Sequence, residues 1–265
     1  MKENALIGSS GFVGNTLLKQ ASFHRLYRST NISEIENKDL NLVVCAGAPA
    51  QKWIANSNPE DDRSNIESLI DHLKTVNCKT FVLVSTVDVF KVPVGVDETT
   101  VIEEDGLHAY GLNRRRLEKF VQEHFEKHLI IRLPGLVGPG LRKNVIYDFL
   151  NDNNVHTIES RAVFQFYPMV NLWYDIQTAL KHDLELVHLT AEPISVADVS
   201  LLGFGKVFTQ QLGGVPALYD MQSRYAALFG ARGRHQYTVR ETIQAIRAYV
   251  QTEPLASKFK GEEMR

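Results

Sequence analysis

Seven residues near the start limit the fold more than any other feature of this chain. Gly8-Ser9-Ser10-Gly11-Phe12-Val13-Gly14 stands between a short apolar run over residues 4–7 and a helical pattern over residues 12–20. Small residues at a strand-to-helix turn permit a tight turn, a close approach of backbone to a ligand, and close packing of helix on strand. The helix start adds unpaired N–H groups and the positive end of the dipole, which together suit phosphate. The spacing is G-x-x-G-x-x-G rather than G-x-G-x-x-G. On this reading Gly8, Ser10, Gly11, Phe12, Val13 and Gly14 cradle a pyrophosphate; the alternative is a turn that holds nothing.

The chain beyond this turn continues the same alternation. Residues 25–27, 40–45 and 80–85 read as strands, and residues 60–76 as a helix. The strands are continuous apolar runs, as expected of a parallel sheet covered on both faces. In the 60–76 helix Asn58 is placed to cap, Pro59 suits the first position, and Glu60, Asp61 and Asp62 suit the dipole. Ile66, Leu69, Ile70, Leu73 and Val76 then share a face, which either covers the sheet or meets a second subunit. A helix over 110–124 and a strand over 129–133 come next. Beyond Gly140 the pattern turns irregular, with helices expected at 144–150, 172–182 and 195–207 and a strand at 185–189. Thr238 and Glu241 form a capping box for a last helix reaching Val250. The working division is 1–140 for cofactor and mainly 141–265 for substrate, with the segments near 185–207 returning to the first part. The last fifteen residues are polar and expected to fray.

The formal net charge of -2 argues against a nucleic-acid partner, and no apolar run is long enough for a membrane span. Met1-Lys2-Glu3-Asn4 reads as the approach to a first strand rather than a signal peptide. Cys45 and Cys78 make no disulfide framework, which fits a reducing, cytoplasmic setting. The nine histidines show no metal-ligand spacing, so no metal is expected. The end of the second strand offers Arg28 and Ser29 where an acid would bind ribose hydroxyls. Arg28 suits the 2′-phosphate of NADP, favouring NADP over NAD; otherwise it is a solvated charge.

Three more stretches carry a resemblance. Cys45-Ala46-Gly47-Ala48 ends one strand, Val84-Ser85-Thr86-Val87-Asp88-Val89-Phe90 ends the next, and Tyr110-Gly111-Leu112-Asn113-Arg114 begins a helix. With the glycine turn, their order and spacing resemble the extended short-chain dehydrogenase/reductase family. That family includes nucleotide-sugar epimerases, dehydratases and dTDP-4-dehydrorhamnose reductases. Residues 131–140 resemble its strand after the catalytic helix. The resemblance covers residues 4–140; later only Val187-His188-Leu189 and Pro193-Ile194-Ser195 are similar.

The resemblance implies an α/β fold, a Rossmann-type doubly wound parallel sheet with a smaller C-terminal substrate-binding part. It implies a nicotinamide cofactor touching the glycine turn, Cys45, Ala46, Gly47 and Leu133. It implies hydride transfer to or from a carbonyl or secondary alcohol, such as that of a nucleotide sugar, and a homodimer formed through the 60–76 helix. Thr86 falls at the family's catalytic Ser/Thr, Tyr110 at its Tyr, and Arg114 at its usual Lys. A tyrosine with a pKa of about 10 is a poor acid–base group at neutral pH, and a neighbouring cation favours its ionised form. Arg114 keeps the charge but is planar and forked. A cofactor-binding sensor with weak or no catalysis is therefore the rival reading. Thr86 and Tyr110 also have plain alternatives, as a strand-end hydroxyl and a packed aromatic. Asp88 either adds acid–base function or caps its loop. Arg142, Lys143 and Asn144 come after a glycine-rich stretch and either grip a substrate phosphate or begin a solvated helix. Lys52 and Trp53 lie on a loop expected to roof the cleft, with Trp53 packed on the loop or stacked on a base. Phe164, Phe166, Tyr167, Trp173 and Tyr174 read as the core of the smaller part.

Overall fold

The computed structural model describes residues 2–254. In chain order it has β1 (Asn4–Ile7), α1 (Phe12–Gln20), β2 (Arg25–Tyr27), β3 (Asp39–Cys45), α2 (Lys52–Ser57), α3 (Pro59–Leu73), β4 (Asn77–Thr86) and β5 (Val94–Val96). Next come α4 (Ala109–His124), β6 (His128–Leu133), β7 (Gly135–Val137), α5 (Val145–Asn151), β8 (Val163–Phe164) and β9 (Phe166–Pro168). The last are α6 (Leu172–Lys181), β10 (Leu186–His188), β11 (Ile194–Ser195), α7 (Val196–Asp198), β12 (Asp220–Met221) and α8 (Val239–Thr252). Most of the tail expected to fray, residues 255–265, lies outside the described residues. Residues 251 and 252 still belong to α8.

Contacts divide the chain into two units. The first comprises the chain up to Pro93, Asp97–Leu133 and Asn171–Leu189. It holds a six-stranded parallel sheet in the order β10-β6-β4-β3-β1-β2. Successive side chains of a strand face opposite ways, so each strand serves two layers. Ala5, Ile7, Val43, Cys45, Phe81, Leu83 and Ile130 meet Ile66, Leu69 and Leu73 of α3 and Leu117 and Val121 of α4 in one core. Phe81 and Phe125 stack there at 4.2 Å. The alternate residues Leu6, Val44, Val82, Leu129 and Ile131 are equally buried. The helices α1 and α6 pack on each other and bury Leu17, Leu172, Ile176 and Ala179. The apolar stripe of α3 thus covers the sheet, the first of the two uses expected. Asn58 does precede α3, but its side chain makes no capping bond. The helix begins on Pro59, at the position the sequence suits it to, with Glu60, Asp61 and Asp62 in its first turn.

The aromatic cluster divides between the units, contrary to expectation. Trp173 sits on α6 in the first unit, its backbone N–H donating to the Gln20 side-chain oxygen and its ring meeting Phe23 edge-on at 5.8 Å. Tyr174 is 71% exposed, because it lies on the outer face of that helix. Phe164, Phe166 and Tyr167 belong to the second unit, which comprises Val94–Val96, Pro134–Val170 and the chain from Thr190 on. Its small sheets pair β5 with β12, β7 with β9 and β8 with β11. Buried Gln165 ties them, its amide nitrogen lying within 2.8 Å of oxygens of Thr190, Ala191 and Met221 and its amide oxygen accepting from the Met221 N–H. The expected helix over 195–207 is shorter and irregular. After α7 it continues as a π-helical stretch, Val199–Gly203, and ends where Gly205 takes a φ of +69°. That stretch packs against α8 in the second unit, with Arg247 donating to the Leu202 carbonyl. The capping box of Thr238 and Glu241 is present in full.

Candidate active site

The chain leaves β1 toward β2 on one side and returns as β3 on the other. Such a reversal opens a crevice at the C-terminal ends of β1 and β3, where open parallel sheets take their ligands. Gly8 is the first residue past β1, and Ala46 and Gly47 are the first past β3. Gly8 has a φ of +84°, and a Cβ there would lie 2.3 Å from the Ala46 carbonyl oxygen. A Cβ on Gly14 would lie 2.1 Å from the Gly8 oxygen. Both glycines are therefore dictated by the protein itself. Gly11 is different: it is exposed, its φ is an ordinary -78°, and an added Cβ would meet only the Gly8 oxygen at 3.4 Å. It is the N-cap of α1, which has no side-chain cap and no acid in its first turn. The amides of Phe12, Val13 and Gly14 have no partner within the helix. Unpaired amides at a helix start are the kind of group that binds an anion.

The other residues expected from the sequence to touch a cofactor lie at or just past strand ends. Ala46 donates its N–H to the Ile7 oxygen at 2.9 Å. Cys45 is fully buried and its thiol is pushed up to about 11 by burial, which makes it a packing residue rather than a nucleophile. Leu133 ends β6 opposite Thr86 in register. Arg28 and Ser29 are exposed just past β2. Their loop is fixed by Asn31, which accepts from the Arg28 N–H and donates to the Leu26 oxygen.

Thr86 closes β4, and Tyr110 lies in the first turn of α4. Gly111 brings them together: a Cβ there would fall 2.1 Å from the Asp88 carbonyl oxygen, so only glycine lets α4 come this close. His108 caps α4 by accepting from the Gly111 N–H at 3.0 Å, and Asn56 accepts the Tyr110 N–H at 3.0 Å. The Thr86 hydroxyl lies 3.4 Å from the Asp88 Oδ2. Asp88 donates its own N–H to the Thr86 hydroxyl at 3.1 Å, and Lys52 pairs with the Asp88 carboxylate at 2.7 Å.

Arg114 does not stand where a free cation would. It is 3% exposed; its fork is held by Asp62 and the Pro49 carbonyl, and it also donates to the Tyr110 carbonyl. Its guanidinium carbon lies 3.9 Å over the Tyr110 ring. The expectation that this charge lowers the Tyr110 pKa meets a stronger opposing effect. Burial pushes the phenol up; Arg114 pulls it down, Asp88 pushes it up, and Thr86 and Lys52 pull it down, leaving it above 10.0. Burial and Lys52 likewise hold His108 below its ordinary 6.5, against the pull of Asp88.

Asp62, by sequence only an acid suited to a helix start, is the buried partner of Arg114 and of Asn113. Its register carries the signal: 62, 66, 69 and 73 share one face, and an acid on an apolar stripe needs a buried partner. Trp53 is 72% exposed and does not pack on its loop, because α2 turns it outward. Arg142, Lys143 and Asn144 fall in the second unit. Arg142 and Lys143 are exposed, whereas Asn144 caps α5 through the Ile146 N–H and donates to the Leu136 oxygen.

No family model matches the chain, and no curated protein matches its sequence. Solved structures do match. A dTDP-4-dehydrorhamnose reductase from Yersinia enterocolitica superposes with a TM-score of 0.74 at 15% identity, over 95% of this chain and 99% of the other. The fold is that of the extended short-chain dehydrogenases/reductases. A Bacillus anthracis dTDP-4-dehydrorhamnose reductase in complex with NADP gives 0.70 at 16%, over 96% and 99%. A Thermotoga maritima UDP-glucose 4-epimerase with UDP-glucose gives 0.68 at 16%, over 94% and 97%. Among the described residues no helix is long and apolar enough to cross a membrane.

Proposed function

We propose that the protein is an NAD(P)-dependent oxidoreductase or epimerase/dehydratase acting on a carbonyl or secondary alcohol, with a nucleotide-linked sugar as the substrate class. The observation that carries this is the close approach of α4 to the end of β4, which Gly111 permits and which sets Tyr110 beside the strand end of Thr86, in the same sheet whose β1 ends in the glycine turn. The NADP of the Bacillus anthracis reductase and the UDP-glucose of the Thermotoga epimerase support it by likeness of fold. In this reading the first unit holds the cofactor and the second, with Arg142 and Lys143, takes part in holding substrate.

The cofactor, when bound, supplies the hydride carrier. The amides at the start of α1 hold its pyrophosphate, and Arg28 favours a 2′-phosphate. Thr86 orients the substrate oxygen, and Tyr110 gives or takes a proton at that oxygen. Arg114 keeps positive charge against the Tyr110 ring. A homodimer belongs to the proposal, and sedimentation as a monomer would remove it.

The test is a melt and fluorescence titration with NADPH, NADH, NADP and NAD, and then a nucleotide-sugar screen with Tyr110→Phe as control. Binding, with turnover lost in Tyr110→Phe, is the expected result. Turnover undiminished in Tyr110→Phe refutes the assigned role. A second reading, a cofactor-binding sensor, draws support from the committed fork of Arg114. Tight cofactor binding with no turnover, and turnover appearing in Arg114→Lys, would favour it.

A further inference from the structure

The cap of α4 differs in kind from those of α5 and α8. Asn144 and Thr238 cap the latter two through side-chain oxygens, which do not titrate near neutral pH. The cap of α4 is an imidazole: His108 Nδ1 accepts the Gly111 N–H at 3.0 Å. To accept there the ring must be neutral, with its proton on Nε2. A proton taken from solvent onto Nδ1 removes the acceptor and sets a positive charge at the positive end of the helix dipole. Histidine is the side chain whose ordinary titration falls between about pH 5 and pH 8. The amide concerned belongs to Gly111, the residue whose missing Cβ lets α4 approach the Asp88 carbonyl and sets Tyr110 beside the end of β4.

We propose that His108 is a pH-sensitive cap and a positioning residue of this site: when neutral it holds the first turn of α4, and Tyr110 with it, and when protonated it loosens that turn. The inference rests on the proposed role of Tyr110 and adds a control to the same site. The loosening is partial, because the neighbouring Tyr110 N–H is held at 3.0 Å by Asn56 of α2, a side chain that does not titrate. The charged and titratable groups around the imidazole are Lys52 of α2, Asp88 after β4, and Arg114 and Tyr110 of α4 itself. Burial, Lys52 and Arg114 oppose protonation of the ring and Asp88 favours it, which leaves its value below 6.5. A base held below its unfolded value adds stability that is complete above the unfolded value and is lost as pH falls through the folded one. The cap is therefore whole above about pH 6.5 and opens below it.

The experiment reads the Gly111 amide by NMR and needs neither substrate nor cofactor. Tyr110-Gly111 is the one Tyr-Gly pair in the sequence, so carbonyl-labelled tyrosine with nitrogen-labelled glycine gives this amide a signal of its own. Between about pH 8 and pH 5 that signal should move with the midpoint of the His108 ring, which is identified by its loss in His108→Asn. The ring signal of Tyr110, identified by its loss in Tyr110→Phe, should move at the same midpoint. Protection of the Gly111 amide from hydrogen exchange, corrected for the intrinsic effect of pH, should fall about fivefold or more across it. In His108→Asn, whose oxygen caps without titrating, protection should be kept at both ends of the range, and in His108→Ala it should be low at both. His108→Ser replaces His108→Asn if the latter misfolds, and His72→Gln, a change of histidine on α3, should leave the parent's profile. A Gly111 or Tyr110 signal that ignores the His108 midpoint, a fall as large in His108→Asn, or equal protection in the parent and His108→Ala at about pH 8 overturns the inference. Such a failure with nicotinamide binding intact strikes this inference alone. Absence of nicotinamide binding strikes the proposed function and leaves the NMR result standing.

Discussion

The three glycines of the turn look alike in the sequence and differ in the structure. Gly8 and Gly14 face backbone atoms of the protein, so Gly14→Ala forces two segments apart. It should lower stability by more than about 2 kcal/mol, read in a urea melt. At Gly11 an added Cβ would meet only the Gly8 oxygen, at an ordinary 3.4 Å, and the proposed function places the cofactor's pyrophosphate against this residue. Gly11→Ala should keep the melting temperature within a few degrees, since alanine at an N-cap costs about 1 kcal/mol, yet weaken nicotinamide binding at least tenfold. Equal loss of stability in both variants would contradict the division. Arg114 was legible as a departure from the family pattern, but not its partner, since Asp62 lies 52 residues earlier. Arg114→Met leaves that carboxylate buried beside Asn113 alone and should cost about 3–5 kcal/mol in the same assay. A loss below about 1 kcal/mol would mean that the pair does not anchor α4 to α3.

Elements in the first half were legible because their apolar runs have the period of what they form. The strands at 40–45 and 80–85 extend in the structure to Asp39–Cys45 and Asn77–Thr86, through polar ends that pairing alone recruits. The later elements were less legible because they are short. A two-residue strand such as Val163–Phe164 has no period, and β5 pairs with β12 across a long stretch of chain. Between α4 and β6 lies a buried ionic group invisible to periodicity. Glu118 accepts from Ser85 at 2.6 Å and from both sides of the Arg132 fork at 2.8 and 2.9 Å. Burial pushes its carboxyl up, but Arg132, Ser85 and Arg115 together hold it below the ordinary 4.5. A depressed carboxyl adds stability that is complete above its unfolded value and is lost as pH falls through the folded one. The urea midpoint of the parent should therefore drop between about pH 5 and pH 3. Glu118→Gln, less stable throughout, should show a flatter drop. A slope as steep in Glu118→Gln would assign the acid loss to other groups. At the last helix, Thr238→Ala should cost about 1 kcal/mol, because both halves of the capping box depend on its hydroxyl and backbone.

At the scale of the whole molecule, a shared order of elements carries more than shared residues. At 15–16% identity the chain superposes over nearly its whole length on the two reductases, so the fold is shared where few residues are. The features of the first unit were readable because each arises from a local rule: glycines at a turn, apolar strands, a helix start. The second unit was not, since its form depends on pairings between distant short segments and on one buried glutamine. The proposed function stands or falls with the glycine turn, as the place where the amides of α1 hold a nicotinamide dinucleotide. It is tested by thermal melting of the parent and Gly11→Ala with each of the four nicotinamide forms. At about a hundred times the dissociation constant a bound form should stabilise the parent by ~2.7 kcal/mol, and Gly11→Ala far less. A parent that melts at the same temperature with all four would contradict that role for the turn.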